Sequence, residues 1–230
     1  ADIFFLCNPN NPTGNLMLED NDRDVLAPVV SAAFRSGRLS GKLVVVDEAF
    51  MDFLPDQRDY TLIWRAINSR KIIVLRTFTK FFCLPGLRIG YLVAHKKIIR
   101  QLKRCQPPWN TNCLSQLAAE LILNDKEYIK NTHRFIGKER QFLFRQLAAI
   151  EGFRPYPSVT NFLLVKIDRP GLNSRFLKER LIKRGILIRD CSNFRNLDDR
   201  YIRIAVRSHK ENLQFLAALK ETTNQLLPRG

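Results

Sequence analysis

Residues 76–91, RTFTKFFCLPGLRIGY, set one lysine, Lys80, beside Thr77 and Thr79 and ahead of a turn at Pro85 and Gly86, with Arg88 at the mouth of the apolar run 89–94. A primary amine attacks a carbonyl only when deprotonated, and cationic neighbours such as Arg76 and Arg88 favour that neutral form. An arginine bonds two oxygens of an oxyanion at once while short hydroxyls fill the remainder, so Thr77, Thr79 and Arg88 suit a phosphate. The stretch reads as a lysine held for imine chemistry beside an anion site, or else as a solvated Lys-Arg pair flanking a loop.

Three further groups have types and positions that bear on that choice. The turn NPNNPTG follows the apolar run 3–7, and its prolines and glycine forbid regular pairing at the strand end where α/β proteins bind ligands. Asn11 in that turn either points at a ligand or simply builds the turn. Asp47 follows four aliphatic residues, LVVV, and a carboxylate there is costly unless it meets a cation or caps a neighbouring backbone. Near the other end, Arg189 closes ILIR and Arg203 sits inside YIRIAVR, where strand alternation puts Tyr201, Arg203 and Ala205 on one side. Arg203 then faces a cleft or the wet side of an edge sheet.

The elements that must carry these groups alternate apolar runs of strand length with amphipathic segments of helix length, the pattern of an α/β sheet with helices on its faces. Strands are expected at 3–7, 43–46, 71–75 and 89–94. Helices are expected at 20–38 and 61–68, over the basic segment after residue 94, and from Asn112 onward, after the double proline of QPPWNTNCLSQLAAELIL. Trp109, inside that break, is expected to pack the turn or to line the site. A long amphipathic segment, 126–150, leads to a smaller α+β layer that starts near Gly152, with strands at 161–167, 186–189 and 201–206 and helices at 172–184 and 209–226. The division falls into a large domain, 1–140, and a small one, 141–230.

Composition narrows the function classes. The chain has 230 residues, 45% of them hydrophobic, enough for a proper core. Five cysteines without a CxxC pair argue against a disulfide framework and a zinc site, and the three histidines lack ligand spacing and read as surface residues, so no metal is expected. No apolar run approaches bilayer length and no signal pattern opens the chain, so a cytoplasmic protein without a membrane partner is expected. The net charge of +16 attracts anions of every kind. Its basic residues are spread along helical spacings such as HKKIIRQLKR and LKERLIKR, with no zinc-finger spacing, RNP-type strand or Arg-Gly repeat, so nucleic acid is not the expected ligand. Ala1 stands where a Met would open a protein and runs straight into an apolar strand, which leads to the expectation of a fragment of a longer protein.

The run RTFTKFFCLPGLRIGY, preceded by NPNNPTG and DEAF, resembles the Schiff-base segment of fold-type I pyridoxal-phosphate enzymes, in the branch that holds histidinol-phosphate aminotransferases and threonine-phosphate decarboxylases. The resemblance implies the cofactor pyridoxal 5'-phosphate, joined to Lys80 as an imine, with Thr77 and Arg88 on its phosphate, Asn11 on its phenolic oxygen and Asp47 on its ring nitrogen. Phe50 departs from the many aminotransferases that have Tyr there. The C-terminal run ILIRDCSNFRNLDDRYIRIAVRSHKEN is more similar to the decarboxylases, in which the positions of Arg189 and Arg203 bind the substrate carboxylate. The implied fold is the large domain of a fold-type I transferase, with a mostly parallel, partial sheet, plus a small C-terminal α+β domain. The implied activity is loss of CO2 from O-phospho-L-threonine, a small phosphorylated amino acid, by a homodimer when full length, with the 230 residues inactive alone. Histidinol-phosphate amino transfer stays open, as does a basic anion-binding fragment without catalysis.

Overall fold

The computed structural model describes residues 2–17 and 42–224. The helix expected at 20–38 and the last residues of the one expected at 209–226 lie outside them. The chain divides into two compact units, Ala1–Asn10 with Asn15–Thr132, and Asn11–Gly14 with His133–Gly230.

The first unit is built on a sheet of strands β1 (Ile3–Cys7), β2 (Leu43–Asp47), β3 (Ile72–Thr77) and β4 (Gly90–Val93), in that order. The first three are parallel, with Cys7 opposite Asp47 and Asp47 opposite Leu75, and β4 runs antiparallel to β3. Runs such as LVVV and IIVL are apolar at every position because a parallel strand is covered on both faces. Val44, Val46, Ile72 and Val74 pack with Leu62 and Ala66 around helix α1 (Ile63–Asn68). Val45 and Ile73 turn the other way, towards Ala94 and the Ile98 and Ile99 side of helix α2 (Lys96–Cys105). Helix α3 (Cys113–Asn124) starts at Asn112, whose side-chain oxygen accepts from the Ser115 N–H at 2.8 Å, satisfying an amide that the first turn leaves orphaned. Trp109 is 97% exposed, so it does not pack the turn.

Helix α4 (Lys126–Ala148) begins in the first unit and ends in the second. The second unit holds an antiparallel sheet ordered β5 (Phe153–Pro155), β6 (Phe162–Ile167), β8 (Tyr201–Ala205), β7 (Arg189–Asp190), with helices α5 (Ser174–Ile182) and α6 (His209–Asn224). Leu163 opposite Ile204 and Val165 opposite Ile202 make one buried face; Leu177, Leu181, Leu216 and Leu219 are buried on the helices. The other face carries Lys166 opposite Tyr201, Leu164 opposite Arg203 and Arg203 opposite Arg189. The glycine of the NPNNPTG turn is needed here: Gly14 has φ +75°, and a Cβ on it would lie 2.3 Å from the Ser158 hydroxyl. Among the described residues no helix is long and apolar enough to cross a membrane.

Candidate functional site

In the first unit, the last residues of β2 and β3 and the loop after β3 open onto a cavity of about 760 Å³ whose lining includes Asp47, Thr77, Thr79, Lys80, Tyr91 and Asn110. Asp47 is half-buried, and its Oδ1 accepts the Ala49 N–H at 3.0 Å. Among the described residues no lysine, arginine or histidine forms an ion pair with it. The Thr77 hydroxyl accepts from the Thr79 N–H at 3.1 Å and donates to the Thr79 hydroxyl at 3.0 Å. That arrangement leaves the Thr79 hydroxyl proton as the donor for an incoming oxygen. Lys80 is exposed, with Nζ 5.8 Å from the centroid of the Phe50 ring. Gly90 stands opposite Thr77, where a Cβ would lie 2.6 Å from the Arg76 carbonyl oxygen, so only glycine lets β4 approach this closely. Arg88 is exposed, at φ +50°, and donates to the Pro85 carbonyl at 3.1 Å; it is not part of the cavity lining.

Arg76 corrects a sequence expectation. It is not a spare cation for Lys80: its side chain is 1% exposed and its charge is matched by two carboxylates, Glu48 at 2.8 Å and Asp52 at 2.7 Å. The guanidinium also donates to Gln57 at 2.7 Å and to the Thr61 hydroxyl at 3.1 Å. Glu48, fully buried, accepts from Thr61 at 2.6 Å and from the Leu62 N–H at 2.7 Å. Burial pushes the Glu48 carboxyl up, against the opposing pull of Arg76, Thr61 and Leu62. Sequence reasoning passed over Glu48, although two adjacent carboxylates at a strand end must point to opposite sides, one of them inward.

The second unit brings Arg189, Arg203 and Asn11 together. Arg189 and Arg203 are direct cross-strand partners, so their side chains leave the sheet on the same face. Arg203 donates to the Asn11 side-chain oxygen, and its guanidinium lies 5.0 Å from the centroid of Phe162. Burial lowers the Arg203 pKa from its usual range, and Arg189 adds to that push. Arg189 donates to Asn193 at 2.8 Å and sits 5.5 Å from the Phe194 ring centroid. Like charges set opposite each other are unfavourable by themselves, and an anion shared between the two guanidiniums removes the cost. His209 is exposed, as expected, and its Nδ1 is 3.2 Å from the buried Glu139 carboxylate, which also accepts from Asn212 at 3.0 Å. Among the described residues no cluster of His, Cys, Asp and Glu is placed to hold a metal.

The family described as aminotransferase class I and II matches residues 1–219. The threonine-phosphate decarboxylase of Salmonella typhimurium is 36% identical over 228 residues, covering 99% of this chain and 59% of that protein. The histidinol-phosphate aminotransferase of Methanocaldococcus jannaschii is also 36% identical, over 219 residues, covering 95% of this chain and 55% of that protein. The crystal structure of a histidinol-phosphate aminotransferase from Sinorhizobium meliloti in complex with pyridoxal 5'-phosphate superimposes with a TM-score of 0.80 at 28% identity, over 98% of this chain and 58% of that one. The chain thus spans a little over half the length of these relatives.

Proposed function

Because the chain belongs to the aminotransferase class I and II family, we propose that it acts in a pyridoxal 5'-phosphate enzyme that removes CO2 from O-phospho-L-threonine to give aminopropanol phosphate. The donor set fits the cofactor. A carboxylate without a cationic partner among the described residues, a lysine amine and two linked hydroxyls line one cavity, and they suit a cationic ring nitrogen, an aldehyde and a phosphate respectively. When bound, the cofactor supplies an electron sink for the pair released at the substrate Cα.

The chain's own residues do the rest. Asp47 holds a proton on the ring nitrogen by its charge, which stabilises the negative charge that develops when CO2 leaves. The Thr79 hydroxyl, oriented by that of Thr77, donates to a phosphate oxygen, and Arg88 reaches the phosphate only by leaving the Pro85 carbonyl. Lys80 would hold the cofactor through its amine and, when that amine is free, would carry a proton to the substrate Cα. Arg189 and Arg203 take the substrate carboxylate, while Asn11 fixes the direction of Arg203 and its unused amide donors serve the cofactor's phenolic oxygen.

The observation that carries this reading is the opposed pair Arg189 and Arg203, which suits a substrate with an anionic group beside the amine. Phosphothreonine has its carboxylate there, and histidinol phosphate has a phosphate ester, so the pair suits either anion and the choice between them falls to the products. The second reading, amino transfer from histidinol phosphate, is favoured by the equal 36% identity to the aminotransferase of M. jannaschii. Product analysis separates the two. CO2 and aminopropanol phosphate from phosphothreonine are expected from a version with the full length of the relatives, and neither from the 230 residues alone. Glutamate formed from 2-oxoglutarate and histidinol phosphate, with no CO2 from phosphothreonine, overturns the decarboxylase reading.

A further inference from the structure

Asp47 and Glu48 are consecutive, and strand alternation sends the first to the cavity and the second into the interior. Likewise Arg76 precedes Thr77, whose hydroxyl anchors the Thr79 amide just ahead of Lys80. The two inward residues meet as a buried ion pair, Glu48 with Arg76 at 2.8 Å. Around this pair converge Asp52 and Gln57 from the turns after β2, and Thr61 and the Leu62 N–H from the lead into α1. The strands are also joined there through the backbone, the Glu48 N–H donating to the Leu75 carbonyl at 2.9 Å. We infer that the Glu48 and Arg76 pair is a positioning clamp: it fixes the ends of β2 and β3 against each other, so that Asp47 and the 77–80 loop meet one ligand at a set separation.

The chemistry favours a clamp over mere stability. A buried ion pair is at best a modest contributor to stability compared with apolar residues of the same volume, yet its hydrogen bonds hold direction tightly. The two strand ends it joins each carry cavity residues, Asp47 and Ala49 on one and Leu75 and Thr77 on the other. An apolar pair would fill the space without setting the angle at which Asp47 leaves the strand. The role towards the cofactor rests on the function proposed above, whereas the clamp itself concerns two backbone positions that report on it directly, the Ala49 amide held by Asp47 and the Thr79 amide held by Thr77.

The test uses Glu48→Gln, which keeps shape and loses charge, and Arg76→Lys, which keeps charge and loses the fork, so that one folded variant suffices. In the variant that melts above the assay temperature, hydrogen exchange at the Ala49 and Thr79 amides is expected to quicken about tenfold or more while the buried centres of β2 and β3 stay protected. Unchanged exchange at both amides overturns the clamp. Pyridoxal phosphate affinity, followed by absorbance, is then measured in a double-mutant cycle with Asp47→Asn. Glu48→Gln is expected to weaken binding about tenfold alone and less than about twofold when Asp47 is already Asn, because the clamp acts through Asp47. Equal losses in both backgrounds would show a general structural effect and overturn the positioning role. Failure of the unsubstituted protein to take up pyridoxal phosphate counts against the proposed function, while the exchange result still decides the clamp.

Discussion

The Lys80 side chain forms no ion pair among the described residues, and its Nζ is 5.8 Å from the Phe50 ring, too far for more than a weak attraction. A lysine left this loosely held is free to turn towards a bound aldehyde. Borohydride reduction in the presence of pyridoxal phosphate is therefore expected to attach the cofactor to the peptide that contains Lys80, and Lys80→Ala is expected to abolish both that attachment and the yellow colour; label on another lysine would refute the assignment. Asp47 makes a different case, because the Ala49 N–H already occupies one of its oxygens and the other is left for a ligand. Asp47→Asn preserves the size and the Ala49 bond but removes the charge. Imine formation should survive in part, while CO2 release slows by ~100-fold or more, the usual cost of one preorganised electrostatic partner. A turnover number within a few-fold of the unsubstituted enzyme would remove Asp47 from the chemistry.

At the scale of elements, legibility follows how local the determining force is. The parallel strands are readable because LVVV and IIVL are apolar without alternation, and α3 is readable because a double proline and the Asn112 cap mark its start. Strand β5 is missed: three residues ending in proline carry too little pattern, and only pairing with β6 makes them a strand. The run ILIR predicts a strand at 186–189, but β7 is Arg189–Asp190, since Leu187 is left 72% exposed and pairing with β8 begins only at Arg189. The site splits in the same way. Asp47, Thr77 and Lys80 follow from strand ends, whereas the bond from Arg203 to Asn11 and the Arg76 cluster join segments far apart in the chain. Helix α6 offers a titratable check of such local forces. The hydroxyl of Ser208, then Arg207 and the Ser208 N–H, hold the Glu211 carboxyl down to about 2 from an ordinary 4.5. A depressed carboxylate stabilises its surroundings above its ordinary value, and that support fades as pH falls from 4.5 through 2. NMR titration of the Glu211 carboxyl should give a midpoint near 2, with the Ser208 and Glu211 amide signals moving in step; a midpoint at the ordinary carboxylate value would mean that this cap does not persist in solution.

For the whole molecule, two features oppose each other. The charge of +16 makes copies of the chain repel. Strand β1, at the edge of the first sheet among the described residues, exposes Ile3 by 50%, Phe4 by 38% and Phe5 by 75%, although the parallel strands beside it are covered on both faces. Exposed apolar side chains at a sheet edge are a surface that another copy of the chain can cover. Which effect wins depends on ionic strength, because the Debye length falls from about 30 Å at 0.01 M salt to about 8 Å at 0.15 M. Repulsion between whole molecules is then largely screened, while burial of an aromatic edge, ~25 cal/mol for each Å² of apolar surface removed from water, is not weakened by salt. The 230-residue chain is therefore expected to stay dispersed at low salt and to self-associate as salt rises, the reverse of what charge-driven binding to an anionic contaminant would do. Phe5→Lys places a charge on the most exposed ring of the edge, where nothing has to be repacked, and should suppress the association without moving the melting temperature by more than a degree or two. Light scattering across a salt series, with and without the substitution, measures both; association that weakens with salt, or that Phe5→Lys leaves unchanged, would assign it to a surface other than β1.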